Sequence, residues 1–319
     1  MRDGLFIYFC TNQSIMVKIN WQGVYPALTT KMKEDASLDL PAFQKHLDSQ
    51  IREGIHGAII GGSLGEASTL RPEEIIQLLV AAKETASGRI PVLVNIAESS
   101  TDNAVNAARA AEAHGADGLM LLPPMRYKAD DDETVVYFKT VAQNTSLPIM
   151  IYNNPYDYKI AVTIDMFEQL AAYSNIEAVK ESSRDITNIT RMINAFGSRF
   201  KILGGVDTLA LECLASGADG WVAGLVNAFP AETVAIYQWV KTGRLQEALT
   251  VYRWFMPLLE LDIHAKLVQY IKLAEAATGL GTEHVRPPRL PLSGLERERI
   301  LTIIHDAIQS RPQIKKHKP

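Results

Sequence analysis

From Trp21 to Gly243, short apolar runs alternate with longer segments whose apolar residues recur every three to four positions. Short runs bounded by Gly, Pro or Asn suit buried strands, and the longer segments suit helices with one packed face. The pattern predicts strands over residues 23–28, 57–60, 91–95, 118–122, 148–152, 176–180, 201–203 and 220–223. It predicts helices over 40–53, 72–85, 101–114, 132–144, 163–172, 185–196, 207–216 and 231–241. Pro72 marks a helix start, Thr163 is an N-cap, and Gly217 and Gly243 follow helix stops. Beyond Gly243, helices over 245–261, 265–278 and 295–310 follow with no strand between them. The linker Arg286-Pro287-Pro288-Arg289-Leu290-Pro291 reads as rigid and extended.

Regular strand–helix alternation implies a parallel sheet with helical crossovers. Eight units in about 220 residues predict an α/β fold, a (β/α)8 TIM barrel, with a C-terminal three-helix appendage. An open doubly wound sheet would call for a GxGxxG turn before an early helix, and Gly61-Gly62-Ser63-Leu64-Gly65-Glu66 lacks that spacing. The expected division is a disordered N-terminal extension over 1–20, a barrel over 21–244, an appendage over 245–310 and a frayed basic tail over 311–319.

The barrel gives each strand end an address, because such barrels carry their chemistry at the C-terminal ends of the strands. Strand 6 ends in Ile176-Glu177-Ala178-Val179-Lys180-Glu181-Ser182-Ser183. Locally, Lys180 has two readings. It is an exposed lysine paired with Glu181, or a buried amine whose desolvation lowers its pKa and frees it to attack carbonyl carbon. Strand 5 ends at Tyr152-Asn153-Asn154-Pro155 and strand 2 at the loop containing Ser63. A lysine, a tyrosine and a glycine/serine loop therefore share one mouth, which favours the nucleophile. No His-x-His pair or carboxylate cluster stands at the strand ends to hold a metal, and strand 8 lacks a clear phosphate cup.

Composition narrows the partners. The 319 residues are 47% hydrophobic and 21% charged, with net charge -4, which leaves no electrostatic footprint for nucleic acid or an anionic membrane. Cys10 and Cys213 cannot build a disulfide framework, so both are expected to be reduced and the protein cytoplasmic. Leu5-Phe6-Ile7-Tyr8-Phe9-Cys10 is short for a signal sequence, no apolar run approaches a bilayer span, and Met16 is an alternative start.

Gly62-Ser63-Leu64-Gly65-Glu66, Tyr152-Asn153-Asn154-Pro155 and Val179-Lys180-Glu181-Ser182 fall in the order and spacing of one family. Over about Trp21 to Ser310 the chain resembles the dihydrodipicolinate synthase / N-acetylneuraminate lyase family of class I Schiff-base lyases. The resemblance implies a homotetramer or homodimer acting on a small 2-oxo acid or cyclic imine, with a covalent lysine imine and no separate cofactor or metal. It implies that Lys180 forms the imine, Tyr152 shuttles protons and Ser63 relays with it. The backbone of Ser63 and Leu64 would seat the substrate carboxylate, and Gly62, Ser182, Gly205, Val222 and Asp207 would line the pocket.

The departures from the family concern the substrate. Dihydrodipicolinate synthases carry an arginine five residues past the tyrosine, where this chain has Asp157. Leu64 replaces the second hydroxyl of the strand-2 turn, and Arg126, next to Tyr127, stands where the synthases lend a tyrosine across a subunit interface. Val206 follows the strand-7 glycine, where the sugar lyases are polar. With the helix Lys266-Leu267-Val268-Gln269-Tyr270-Ile271-Lys272, the motifs are similar to the 1-pyrroline-4-hydroxy-2-carboxylate deaminase branch of hydroxyproline catabolism. The other readings are a pyruvate-releasing 2-oxo acid aldolase, a 2-keto-3-deoxy sugar acid dehydratase, dihydrodipicolinate synthase itself, and a non-catalytic barrel that binds a 2-oxo acid.

Overall fold

The computed structural model describes residues 17–124 and 126–314. The expectations for residues 1–16, including Cys10 and Met16, and for residues 315–319 lie outside the described residues. The elements run β1 (Gly23–Pro26), α1 (Leu40–Arg52), β2 (Ala58–Ile60), α2 (Pro72–Ala86), β3 (Val92–Ile96), α3 (Thr101–Ala113), β4 (Gly118–Leu121) and α4 (Asp131–Gln143). They continue with β5 (Ile149–Asn153), α5 (Pro155–Tyr158), α6 (Ile164–Leu170), β6 (Ile176–Glu181), α7 (Thr187–Phe196), β7 (Lys201–Gly204), α8 (Ala210–Ala215) and β8 (Gly220–Ala223). Four helices complete the chain: α9 (Pro230–Lys241), α10 (Leu245–Leu259), α11 (Leu267–Ala277) and α12 (Gly294–Gln309).

The eight strands pair in parallel in the order β1-β8-β7-β6-β5-β4-β3-β2. The sheet closes just past the end of β1, where Ala27 bridges Ile59 and the Leu28 N–H donates to the Ile59 carbonyl at 2.9 Å. This is a (β/α)8 barrel. Alternation along each strand sends one set of side chains inward, where Tyr25, Ile59, Leu93, Met120, Met150, Ala178, Leu203 and Val222 pack together. The other set meets the helices in a larger core. Residues two positions beyond an inward layer point inward again at the C-terminal mouth. That parity aims both Tyr152 and Lys180 into the barrel, and the two are register partners across β5 and β6.

Helix ends follow local chemistry. Thr163 accepts from the Met166 N–H at 3.3 Å as the N-cap of α6, and Ser100 and Asp130 do the same for α3 and α4. The single helix expected over 207–216 is a 3-10 turn, Asp207–Leu209, before α8; the Asp207 carbonyl accepts from the Ala210 N–H and from the Tyr252 hydroxyl. The expected helix over 245–261 ends at Leu259 and tightens into a 3-10 turn, Glu260–Ile263. Helix α5 was not foreseen: Asn154 caps it by accepting from the Asp157 N–H at 3.1 Å, and Pro155 presets its first turn. The linker at Pro287 is a turn rather than an extended strap, closed by the Arg289 N–H on the Arg286 carbonyl at 3.2 Å. Among the described residues, no helix is long and apolar enough to cross a membrane.

Candidate active site

Lys180 is 7% exposed, so the exposed-lysine reading fails. Glu181 is not its partner, because neighbouring strand residues face opposite ways. The Glu181 carboxylate instead accepts from Asn153 Nδ2 (2.9 Å), Asn188 Nδ2 (2.6 Å) and the Ser183 N–H (2.7 Å). The Lys180 Nζ lies 4.0 Å from the centre of the Tyr152 ring, over its face. Burial pulls the Lys180 ammonium below its ordinary range, opposed by Tyr158, Asp262, Asp207 and Asp157. The net direction enlarges the share of neutral amine, the form that attacks carbon.

Above Lys180 opens a cavity of about 510 Å³ at the strands' C-terminal ends. Of the residues proposed from sequence, Gly62, Ser63, Leu64, Tyr152, Lys180, Ser182, Gly205 and Val222 all line it. The Ser182 Oγ is buried with no hydrogen-bond partner of good geometry. The Tyr152 hydroxyl accepts from Asn154 Nδ2 at 3.1 Å, and the same amide donates to Asp157 at 2.7 Å. Burial pushes the Tyr152 phenol up to about 12.

Ser63 is bonded differently from the expectation. Its Oγ lies 2.8 Å from the hydroxyl of Tyr158, not Tyr152. Tyr158 packs edge-on against Tyr152, with ring centroids 5.6 Å apart and planes at 77°. Tyr158 was missed in the sequence; its only signal is an aromatic residue in the polar turn Tyr156-Asp157-Tyr158 after the strand-5 tyrosine. Asp262, His264 and Arg184 also line the cavity and were missed. The signal for the first two was the polar break Asp262-Ile263-His264 between two apolar helices. Burial pushes the Asp262 carboxyl well above its ordinary range, and Asp207 adds to the effect. Arg184 lies at the rim with its guanidinium 3.5 Å over the exposed Tyr156 ring.

Asp207 is a correction. It is fully buried and does not line the cavity. Its carboxylate accepts from Trp221 Nε1 (2.9 Å), the Gly224 N–H (3.1 Å) and the Leu225 N–H (2.8 Å). Its carbonyl accepts from the Tyr252 hydroxyl at 2.9 Å. Asp207 therefore pins the turn after β8 to α10, and every acceptor it could offer a substrate is spent. Arg126 and Tyr127 do not line the cavity of their own chain, and Tyr127 is 55% exposed.

The chain matches the Dihydrodipicolinate synthetase family over residues 20–307, barrel and appendage together. This protein belongs to that family. Its members are class I lyases, and the chain is accordingly an enzyme of that class. Curated relatives named 4-hydroxy-tetrahydrodipicolinate synthase include that of Methanoculleus marisnigri, 31% identical over 282 residues spanning 88% of this chain and 96% of that one. Another, from an Exiguobacterium species, is 30% identical over 281 residues, with the same two coverages. The solved 4-hydroxy-tetrahydrodipicolinate synthase of Methylacidiphilum fumariolicum superposes with a TM-score of 0.85 at 29% identity, covering 92% of this chain and 98% of that one.

In this family member, two buried ion pairs tie the barrel mouth to α11. Lys31, past β1, pairs with Glu275, which also accepts from the Thr29 hydroxyl at 2.5 Å. Lys272, one helical turn before Glu275, pairs with Glu66 of the strand-2 loop and donates to the His284 carbonyl at 2.7 Å. Arg286 extends the network, its N–H on Glu66 at 2.9 Å and its guanidinium bidentate on Glu74 at 2.8 and 2.9 Å. The network holds the C-terminal half of α11, which follows the Asp262–His264 stretch lining the cavity, on the barrel. No group of His, Cys, Asp and Glu among the described residues is arranged to hold a metal.

Proposed function

We propose that the chain is a lysine Schiff-base lyase for a short, hydroxylated 2-oxo acid or its cyclic imine, with 1-pyrroline-4-hydroxy-2-carboxylate as substrate and deamination as outcome. The observation that supports it most is the buried Lys180, its pKa lowered by burial, beneath a cavity that Asp157 and Asp262 also line. Both carboxyl groups can bond a substrate hydroxyl. The substrate's own carboxylate would sit on the strand-2 loop at Ser63 and Leu64.

The chemistry follows from the imine. The Lys180 amine adds to the ring C=N carbon and the ring nitrogen leaves that carbon, opening the ring by transimination. The lysine iminium makes C3–H acidic. Its proton is removed, and the 4-hydroxyl departs with a proton as water. Loss of a C5 proton with protonation of C3 moves the C3–C4 double bond to C4–C5, and protonation of C4 turns that enamine into a C5=N imine. Two waters then hydrolyse the two C=N bonds, releasing ammonia, 2-oxoglutarate semialdehyde and free Lys180. One water is consumed overall. We place the enzyme in the cytoplasm as a homotetramer or homodimer. A reducing setting suits Cys213, which is buried and whose thiol burial pushes up to about 12.

A second reading is the synthase activity for which the curated relatives are named. Arg184 at the rim favours it, as a cation able to meet a second carboxylate. Incubation with the hydroxypyrroline carboxylate, and separately with pyruvate plus aspartate semialdehyde, separates the two. The deaminase reading expects ammonia only from the first. Condensation of the second pair without ammonia from the first would establish the synthase instead.

A further inference from the structure

We propose that Asn154, aimed by Asp157, is a positioning residue for the Tyr152 hydroxyl: its amide N–H holds the phenol oxygen and stabilises the phenolate that takes up the substrate's C3 proton. The inference rests on the Schiff-base reading of Lys180, with Tyr152 as the proton carrier beside it, and concerns what tunes that carrier.

The hydroxyl groups of the cavity are not shared evenly. Ser63 and Tyr158 bond each other at 2.8 Å. The Tyr152 oxygen is left with Asn154, which donates to it at 3.1 Å, and with Ser182 beside it. The Asn154 amide has one way to sit. Its Oδ1 accepts from the Asp157 N–H at 3.1 Å and so caps α5. Its Nδ2 carries two hydrogens, one for the Asp157 carboxylate at 2.7 Å and one for the Tyr152 oxygen. Turned over, it would set oxygen against the carboxylate and NH2 against the N–H. Asn154 is 4% exposed, which shields these bonds from water.

A donor so placed favours the ionised phenol, because an N–H···O bond strengthens as the oxygen gains charge. The groups facing Tyr152 act in both directions. Lys180, on β6, lies over the ring, and a cationic iminium there would favour the phenolate. Asp157 on α5 and Asp262 in the turn before α11 oppose it, and Tyr158 stands edge-on to the ring. Burial is the largest opposing effect, and Asn154 is foremost among the groups that pull the phenol back down.

The proton step balances. The C3–H proton of the substrate iminium moves to the Tyr152 phenolate. Its electron pair forms the C2–C3 double bond, the C=N pair moves to nitrogen, and the iminium becomes a neutral enamine. In deuterated water the phenol exchanges its proton for a deuteron and returns that to C3.

The test uses the full-length protein with saturating pyruvate in deuterated buffer across pH. Loss of the methyl proton signal reads exchange, and borohydride trapping with intact mass reads the imine. Asn154→Ser removes the amide donor without adding charge, and serine caps a helix about as well as asparagine. This variant should trap to the same extent. Its exchange at neutral pH should fall by about tenfold or more, the worth of a hydrogen bond to a charged oxygen, and the pH of half-maximal exchange should rise by about one unit. Asp157→Ala and Asp157→Asn both remove the charge, but only the second keeps an acceptor for the amide. Exchange should be lower in Asp157→Ala by about threefold or more, and this pair carries the test if Asn154→Ser does not fold. A role confined to capping α5 would leave Asn154→Ser with the original exchange rate and pH profile, which would overturn the inference and leave the Schiff base intact. Parallel loss of trapping and exchange in Asn154→Ser would also overturn it, by assigning Asn154 to the lysine. Equal exchange in the two Asp157 variants would overturn the aiming by Asp157. No trapping by the unmodified protein would remove the Schiff-base reading and the inference with it.

Discussion

Glu275→Ala will destabilise the fold by about 3–5 kcal/mol, the usual loss when one member of a buried ion pair is removed. The Lys31 and Glu275 side chains are 1% and 0% exposed, so no water replaces the missing carboxylate. Burial pulls the Lys31 ammonium down to about 8, opposed mainly by Glu275 itself. Burial opposes the charge on Glu275 too, yet Lys31 and His46 hold its carboxylate below the ordinary range. Each charge thus depends on the other. Without Glu275, the Thr29 hydroxyl also loses its acceptor. Urea unfolding should show a lower midpoint at unchanged slope. Lys31→Met combined with Glu275→Leu should recover most of the loss, since apolar pairs of similar volume commonly match or exceed a buried ion pair. A Glu275→Ala protein as stable as the original would mean that the pair contributes nothing to holding α11 on the barrel.

Gly205→Ala will leave the fold largely intact and lower turnover by about 10²-fold, the scale of an ångström-sized misplacement of a reacting group. A methyl on Gly205 would stand 2.2 Å from Ser182 Oγ and 2.7 Å from both Cγ and Cε of Lys180. Both side chains would have to move, and the space open to Lys180 is the substrate cavity itself. Its amine would leave the Tyr152 face, and imine formation would slow. The expected signature is a lower rate of borohydride trapping with a melting temperature within a few degrees of the original. Equal loss of trapping and thermal stability would show that Gly205 serves packing rather than the lysine.

Much of the barrel was legible because each crossover repeats the same alternation and because its ends are marked by Pro, Thr and Gly. Strand parity then sufficed to place Lys180 and Tyr152 at one mouth. What escaped was set by tertiary contact. Ser63 and Tyr158 are 95 positions apart, and nothing in either segment announces the other. Lys31 looks like a polar loop residue, yet it is buried by Glu275, 244 positions away. Asp207 shows the reverse error. A carboxylate after a strand end looks like a ligand, but the N–H groups of Gly224 and Leu225 in the next turn take it first. Its sequence signature is the same in either role. Asp157, on the short helix α5, and Arg184, on the loop after β6, reach the cavity from segments whose paths the strand pattern does not specify.

The central claim is that Lys180 forms an imine with a 2-oxo acid. The most direct measurement is borohydride trapping of the protein with pyruvate across pH, read by intact mass and peptide mapping. A single adduct on Lys180 is predicted, absent in Lys180→Ala. Because burial lowers the lysine pKa, and the neutral amine is the form that attacks, the trapping rate should rise with pH and reach half its maximum below the ordinary lysine value of 10.5. No adduct at any pH, or an adduct that persists in Lys180→Ala, would contradict the account.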